Sequence, residues 1–238
     1  MKAVIMAGGK GTRLLPYTAT FPKPLMPLGD MPIIELLLRQ LKQAGVTEAY
    51  LAVNHLHNLM RAFCGDGSAF GLQIHYTLED KPLGTAGALA SVLEHMDDTF
   101  LVTNGDLLTT LDIKKMIQTH LDKKVDASIG TVERKVKIDL GILEMDKSNL
   151  LTGYVEKPSM THHVSMGLYV LQRDAVQPHI KPSTYLDMPD LMKALIKDKR
   201  SVYCHQQTNC FWLDIGRPDD YAEAQHMFEH NRDMFLAA

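Results

Sequence analysis

Residues Lys2–Pro24, "KAVIMAGGKGTRLLPYTATFPKP", decide the fold, because a short apolar run meets a glycine-rich loop there. The run Lys2–Ala7 is short, apolar and ended by glycine, which predicts a fully buried strand. The loop that follows holds three glycines, one arginine and, between two prolines, one lysine. Backbone N–H groups of such a loop form an anion-binding concavity, to which the cationic side chains add charge. The stretch therefore predicts a strand that leads into an anion site.

Strand and helix patterns alternate through the rest of the first half. Further strands are predicted at Ala49–Val53, Leu72–Thr77 and Thr99–Thr103, and helices at Pro32–Gln43, His55–Phe63, Thr85–His95 and Leu111–Leu121. This alternation predicts βαβ units, right-handed connections and a mostly parallel sheet. Ligands of such sheets bind outside the carboxyl ends of the strands, where the glycine loop begins.

The second half is richer in strands. Strands are predicted at Ala127–Val132, Leu140–Met145, Leu150–Val155, Ser165–Leu171 and Ser201–His205, and helices at Met188–Lys197 and Pro218–His230. No Gly/Ser-rich linker separates the halves. We therefore expect one Rossmann-like α/β domain over residues 1–238, with a mostly parallel, mixed central sheet flanked by helices.

Composition narrows the class of protein further. The 238 residues are 45% hydrophobic and 22% charged, which predicts a folded chain with a sizeable core. A formal net charge of −3 is no signature of a nucleic-acid-binding protein, so any phosphate site must be local. The 3 cysteines lack CxxC spacing and predict neither a disulfide framework nor a thiolate metal site. No apolar stretch reaches membrane length, so we expect a cytoplasmic protein without nucleic-acid or membrane partners.

The loop "GGKGTR", Gly8–Arg13, fits neither common phosphate-binding motif. A P-loop needs Gly-Lys-Ser/Thr, and the dinucleotide fingerprint needs a third spaced glycine. Taken alone, the loop is also compatible with a tight turn that carries incidental charges. The longer pattern is more specific and comprises Gly8, Gly9, Gly11, Thr12, Arg13, Leu14, Pro16, Thr18, Pro22, Lys23 and Pro24.

This longer pattern resembles the signature of the sugar-1-phosphate nucleotidylyltransferases, and the resemblance extends over nearly the whole chain. It implies a glycosyltransferase-A-like fold, with a nucleotide-binding half at 1–125 and a sugar-phosphate-binding half at 126–238. It also implies the reaction of a nucleoside triphosphate with a sugar-1-phosphate, which yields a nucleotide-sugar and pyrophosphate. The residues that match the family's catalytic groups are Arg13, Lys23, Asp106, Lys157 and Asp214.

Two aspartates match the family's ligands for Mg²⁺. Asp106 ends "TNGD", after a predicted parallel strand, and Asp214 lies in "FWLDIGRPDDY". Singly, Asp106 is compatible with a turn residue and Asp214 with a helix cap. Together they supply the hard carboxylate oxygens that suit Mg²⁺ shared with phosphate.

The base-binding segment of the family resembles "LEDKPLGTAGAL", Leu78–Leu89. The nucleotide-binding residues implied are Ala7, Gly8, Gly9, Gly11, Thr12, Arg13, Glu79, Gly84 and Thr85. Family members that use thymidine or uridine triphosphates commonly carry glutamine where Glu79 stands. A carboxylate only accepts hydrogen bonds and guanine presents two adjacent donors, so Glu79 favours GTP. The functional alternative is a uridylyl-, thymidylyl- or cytidylyltransferase. The structural alternative is that Glu79 and Asp80 form an exposed acidic turn without a binding role.

The sugar-phosphate segment of the family resembles "GYVEKP", Gly153–Pro158. The sugar-phosphate-binding residues implied are Gly141, Glu156, Lys157 and Ser165. The family often has asparagine where Ser165 stands, so mannose, a heptose and an amino sugar all remain open. The whole pattern is most similar to the mannose/heptose-1-phosphate guanylyltransferase branch. A nucleotide-sugar-binding regulatory subunit is the rival class, although such a protein has no need of the metal pair. The oligomeric state is left open, a homo-oligomer included.

Overall fold

The structure, a computed structural model, describes residues 1–9, 11–54, 56–79 and 81–236. The predicted helix start at His55 lies outside these residues, as do Lys10 and Asp80 of the quoted motifs. None of the described helices is long and apolar enough to cross a membrane.

Strands and helices alternate in the first half, and strands dominate the second. The described strands are β1 (Lys2–Met6), β2 (Pro27–Leu28), β3 (Met31–Pro32), β4 (Glu48–Val53), β5 (Gln73–Leu78), β6 (Thr99–Asn104), β7 (Leu107–Thr109), β8 (Ala127–Lys137), β9 (Ile142–Met145), β10 (Leu151–Val155), β11 (Ser159–Gln172), β12 (Val202–Gln206) and β13 (Trp212–Asp214). The described α-helices are α1 (Ile33–Gln43), α2 (His57–Cys64), α3 (Gly84–Gly87), α4 (Ile113–Lys123), α5 (Arg173–Val176), α6 (Met188–Lys197) and α7 (Pro218–Leu236). Short 3₁₀ segments cover Thr12–Leu14, Tyr17–Ala19, Lys23–Leu25, Ser68–Phe70, Ala88–Ser91, Leu93–His95 and Gln177–His179.

Over the described residues, seven strands form the central sheet in the order β12-β8-β11-β6-β1-β4-β5. β1 is parallel to β4 and β6, β4 is parallel to β5, and β8 is parallel to β12. β11 is antiparallel to both of its neighbours, β6 and β8. The predicted mostly parallel, mixed sheet is therefore confirmed. The carboxyl ends of β1, β4, β5 and β6 share one edge, which is where the ligand of such a sheet is expected.

Alternation along β1 explains why both faces of the sheet are covered. Ala3 and Ile5 belong to a core shared with α1, α2 and α4, whereas Val4 belongs to a second core shared with α3, α5 and α6. All three side chains are fully buried. A third cluster packs Phe228 and Phe235 of α7 against β7, β13 and the loop after β1. This last cluster holds the closing helix beneath the glycine loop.

The predicted helix Thr85–His95 is broken in the structure. α3 ends at Gly87, and two 3₁₀ segments follow, separated by Val92 at φ −122°. The side chains of Leu89, Val92 and Leu93 are nevertheless buried. Apolar spacing alone did not distinguish one long helix from consecutive short turns that bury the same residues.

Two long strands of the second half extend beyond the sheet. β8 and β11 pair from Lys137 opposite Ser159 as far as Thr131 opposite Ser165, and the register then shifts before Tyr169. β9 and β10 form a separate antiparallel hairpin between them. We call residues 133–163 the arm. Both long strands extend beyond their predicted ranges, because the residues of the arm are largely exposed and lack the buried face that makes a strand visible in the sequence.

Candidate active site

Three adjoining pockets open at the carboxyl edge of the sheet, and Met6, the last residue of β1, lines all of them. Backbone hydrogen bonds just beyond the ends of the strands fix the position of this edge. Ala7 N donates to Ala52 O at 2.9 Å, and Gly105 N donates to Met6 O at 3.0 Å. The segments that leave β1 and β6 are therefore held side by side where the pockets meet.

The glycine loop is fixed by contacts between its own residues. Gly11 has φ +59°, and a Cβ there would lie 2.8 Å from Cγ2 of Thr18. Thr18 is buried and its hydroxyl donates to Gly11 O at 2.7 Å. Only glycine fits this turn without strain. The turn places exposed Arg13 on the wall of the same pocket as Lys23.

Lys23 is the buried cation of the site, with 9% of its surface exposed. Its 3₁₀ turn is closed by Leu25 N donating to Pro22 O at 2.9 Å and Met26 N donating to Lys23 O at 3.0 Å. The ammonium Nζ donates to Oδ2 of Asp106 and lies 3.4 Å from Oδ1 of Asp214. One cation therefore holds carboxylates from both halves of the chain.

A short ladder that sequence analysis did not predict brings the two aspartates together. β7 and β13 are antiparallel, with Asp214 opposite Leu107, the residue after Asp106. Burial raises the pKa of the Asp106 carboxyl; Lys23 opposes this and the charge of Asp214 adds to it. The side chains of Asp106 and Asp214 retain 23% and 40% exposure, so both are open to a ligand. A neighbouring cation stabilises the charged form of a carboxyl whose pKa is raised by burial.

The pair of carboxylates suits a magnesium ion. Both converge on one cation already, and carboxylate oxygens are hard ligands of the kind that Mg²⁺ prefers. Among the described residues, no third histidine, cysteine or carboxylate joins a cluster that would complete a metal cage. An ion held by two carboxylates leaves its remaining positions for phosphate oxygens and water, as Mg²⁺ sites commonly do.

The second pocket, of about 280 Å³, has Glu79 in its wall beside Gly8, the first glycine of the loop. Oε1 of Glu79 is buried and accepts no hydrogen bond from the described residues. Burial raises the pKa of this carboxyl. A buried acceptor without a donor is costly, and in a pocket wall it indicates that a ligand supplies the donor.

The third pocket, of about 290 Å³, lies between β11 and β13. Oγ of Ser165 lies 3.0 Å from the Tyr169 hydroxyl and accepts from Gly167 N at 3.3 Å. Trp212 Nε1 donates to Met166 O at 2.9 Å, which joins the two strands across the pocket. Ser165 is therefore already engaged by its neighbours at the pocket wall.

The residues of the arm stand apart from these pockets. Glu156 and Lys157 are exposed and line none of the three. Tyr154 donates to Oε2 of Glu156 at 3.1 Å, and its ring covers Gly141. Lys157 has φ +44°, in the left-handed region of the backbone. The structure thus brings the predicted nucleotide, metal and Ser165 positions to one cleft and leaves Gly141, Glu156 and Lys157 on the arm.

Two residues of the cleft were missed by sequence analysis. Asn104 lines both the second and the third pocket and was visible in "TNGD", although no role was assigned to it. Asp187 lines the second pocket. It gave no signal, because its partner Thr85 is 102 residues away in the chain.

Residues 2–231 match the nucleotidyl transferase family along almost the whole chain. The chain belongs to this family. Curated relatives of this nucleotidyl transferase include a mannose-1-phosphate guanylyltransferase of Mycobacterium tuberculosis, 31% identical over 92% of the chain. A UTP–glucose-1-phosphate uridylyltransferase of Synechocystis is 32% identical over 94% of the chain. The chain spans 62% of the length of each of these two relatives.

Solved structures of similar proteins share the fold of this nucleotidyl transferase. A putative glucose-1-phosphate thymidylyltransferase from Bacillus anthracis superposes with a TM-score of 0.77 and 25% identity, covering 95% of this chain and 94% of that one. HddC from Yersinia pseudotuberculosis, solved in complex with GMP-PN, gives a TM-score of 0.71 and 26% identity, covering 95% and 99%. Similar proteins are thus named for different bases.

Proposed function

We propose that this chain transfers a nucleoside monophosphate from a nucleoside triphosphate to a sugar-1-phosphate and releases pyrophosphate. The observation that carries the proposal is the convergence of Lys23, Asp106 and Asp214 where the three pockets meet. A cation beside two carboxylates, next to a glycine-rich loop, is suited to reacting phosphates. Membership of the nucleotidyl transferase family supports the same reaction class.

Catalysis in this proposal depends on alignment and charge. An oxygen of the sugar-1-phosphate attacks the α-phosphorus in line and pyrophosphate leaves, with no general base, because the attacking phosphate is already ionised at neutral pH. The glycine loop and Arg13 bind the triphosphate, and Lys23 stabilises the charge that develops on pyrophosphate. Lys157 lines none of the three pockets, and its proposed role of orienting the attacking phosphate comes from the family resemblance. Asp106 and Asp214 would hold Mg²⁺, which would supply positive charge to lessen the repulsion between the two phosphate groups.

The test is pyrophosphate release from four nucleoside triphosphates, each paired with a small panel of sugar-1-phosphates. We expect release that requires both substrates and a divalent cation. A protein that binds a triphosphate but releases no pyrophosphate with any pair would instead be the regulatory subunit considered above. The same screen identifies the sugar, which neither Ser165 nor its pocket specifies.

We propose GTP as the preferred triphosphate because of Glu79. Among the described residues its buried Oε1 has no donor, and guanine offers N1–H and N2–H₂ side by side. Uracil and thymine would set a carbonyl oxygen against the same carboxylate. HddC, a similar protein, was solved with GMP-PN, which agrees with a guanine reading here. The uridylyltransferase relative keeps UTP as the alternative.

Replacing Glu79 by glutamine is expected to lower kcat/KM for GTP at least about tenfold, the scale of one hydrogen bond to a charged group. The difference in kcat/KM between GTP and either UTP or dTTP should narrow, while the KM for the sugar-1-phosphate stays nearly unchanged. Because the folded-state pKa of Glu79 is raised, stability is lost as pH rises through that pKa. The variant's Tm at pH 7 should therefore match or exceed the parent's.

The control for this substitution is Glu94→Gln, which removes the same charge from an exposed side chain outside the cleft. A parent enzyme that prefers UTP, dTTP or CTP would contradict the guanine assignment whatever the variant does. A GTP preference that survives in Glu79→Gln would mean that backbone groups read the base.

Replacing Lys157 by alanine is expected to raise the KM for the sugar-1-phosphate by about tenfold or more, since one charge-assisted contact to phosphate is lost. The Kd for the triphosphate should change by less than about twofold, because the family resemblance assigns Lys157 to the sugar-1-phosphate and not to the triphosphate. Titration calorimetry with each ligand separately measures both. Lys147→Ala, in an exposed turn of the same arm, is the control. Equal losses of affinity for the two ligands would contradict the assignment of Lys157 to the sugar-1-phosphate.

A further inference from the structure

Hydrogen bonds tie the Gly84–Gly87 turn of the first half to the chain just before α6 in the second half. Ala86 N and Gly87 N both donate to Leu186 O, at 2.9 and 2.8 Å. Leu186 N donates in return to Leu83 O at 2.8 Å. Two backbone segments from opposite halves of the chain are therefore locked side by side.

The side chain of Asp187 completes this connection. Its Oδ1 accepts from Thr85 N at 3.1 Å and from the Thr85 hydroxyl at 3.4 Å, while that hydroxyl accepts from Met188 N at 2.8 Å. Its Oδ2 accepts from the Tyr185 hydroxyl at 2.7 Å. The bonds from Tyr185 and Thr85 hold the pKa of the Asp187 carboxyl below its usual value. Asp187 is therefore an ionised acceptor at neutral pH.

The backbone conformation of Gly84 and its lack of a side chain leave room for this carboxylate. It has φ +78°, and a Cβ at this position would lie 2.5 Å from Leu186 O and 2.8 Å from Oδ1 of Asp187. Any other residue would push the turn away from Leu186 and Asp187. The turn and the carboxylate are thus built to fit each other.

The connection forms part of the wall of the second pocket, which we call the nucleotide pocket. Gly84, Thr85 and Asp187 line that pocket together with Glu79 and Asp106. The fold has no need of Asp187 to anchor α6, since that helix buries apolar residues in the second core: Met188, Leu191, Met192 and Leu195. A half-buried carboxylate in a pocket wall, bonded to the pocket's own turn, sets the shape of the pocket.

We propose that Asp187 is a positioning residue for the nucleoside triphosphate: its carboxylate fixes the Gly84–Thr85 turn in the orientation that the nucleotide needs. The proposal rests on the proposed function only in taking a triphosphate as the ligand of this pocket. Because Asp187 lies in the second half of the chain, nucleotide binding would then require that half as well. Asp187 itself acts through Thr85.

The test measures the Kd of GTP and of UTP by calorimetry, without the second substrate, and then both KM values and kcat. Asp187→Ala should raise the Kd and KM of the preferred triphosphate about tenfold, the scale of one charge-assisted hydrogen bond. The KM of the sugar-1-phosphate should stay within about twofold. Asp187→Asn should fall between parent and alanine, because its amide oxygen still accepts from Thr85 N. Asp190→Ala, which removes the carboxylate that pairs with exposed Lys193 on the same helix, should behave as the parent.

An unchanged triphosphate Kd in Asp187→Ala overturns the proposal. So do equal losses for both substrates that asparagine does not restore, since these indicate a merely structural role. If the alanine variant does not fold, Asp187→Asn decides alone: a Kd equal to that of Asp190→Asn overturns the proposal, and a Kd several times higher supports it. A parent that binds triphosphate without releasing pyrophosphate overturns the proposed function and leaves this binding test intact.

Discussion

Replacing Asp106 by asparagine is expected to lower kcat at least about a hundredfold, the usual scale for removing a group that stabilises charge at a reacting phosphate. The substitution keeps the size of the side chain but removes one of the two carboxylates that converge on Lys23. The fold should survive, because burial already disfavours the charged form of Asp106. Steady-state pyrophosphate release at limiting Mg²⁺ measures the effect, and Tm measures the fold.

The matched control is Asp98→Asn. Asp98 forms an ion pair with Arg173 at 2.7 Å and is 90% exposed, away from the cleft. Its removal should leave turnover within about twofold of the parent, as for most surface substitutions. Parent-like turnover in Asp106→Asn would exclude Asp106 from the catalytic machinery and would leave Asp214 without its partner.

Replacing Lys23 by methionine is expected to reduce kcat/KM for the triphosphate by about a hundredfold or more, because the buried positive charge beside the phosphates is lost. It should also lower stability, since Asp106 and Asp214 then face each other without their shared cation. Losing one partner of a fully buried ion pair costs about 3–5 kcal/mol, and the partly exposed carboxylates here should bring the loss below that. Denaturant unfolding in the absence of Mg²⁺ measures it.

The double variant Lys23→Met/Asp106→Asn separates the two effects. Removing the unpaired charge should restore much of the stability and none of the turnover. Lys2→Met is the control, since Lys2 pairs with Glu48 at 3.4 Å at the amino ends of the strands. If Lys23→Met keeps parent-like turnover, Lys23 only neutralises the two aspartates and takes no part in the reaction.

The sequence predicted those parts of the fold that are governed by local pattern. β1, α1 and α6 match their predicted ranges to within a residue, because apolar spacing and flanking glycine or proline fix them. The ladder of β7 and β13 was missed, since three-residue strands carry no periodicity and their pairing joins distant segments. The same limit hid Asp187. By contrast, Arg13, Lys23 and Asp106 were predicted from motifs, and the structure brings them to one edge of the sheet.

The β7–β13 ladder determines when the two-aspartate site can assemble during synthesis. Asp106 emerges from the ribosome roughly a hundred residues before Asp214, and Lys23 earlier still. A nascent chain can form the glycine loop and much of the parallel sheet long before the strand that carries the second carboxylate exists. β13 therefore completes the carboxylate pair, and a nascent chain that ends before Asp214 lacks the two-aspartate site.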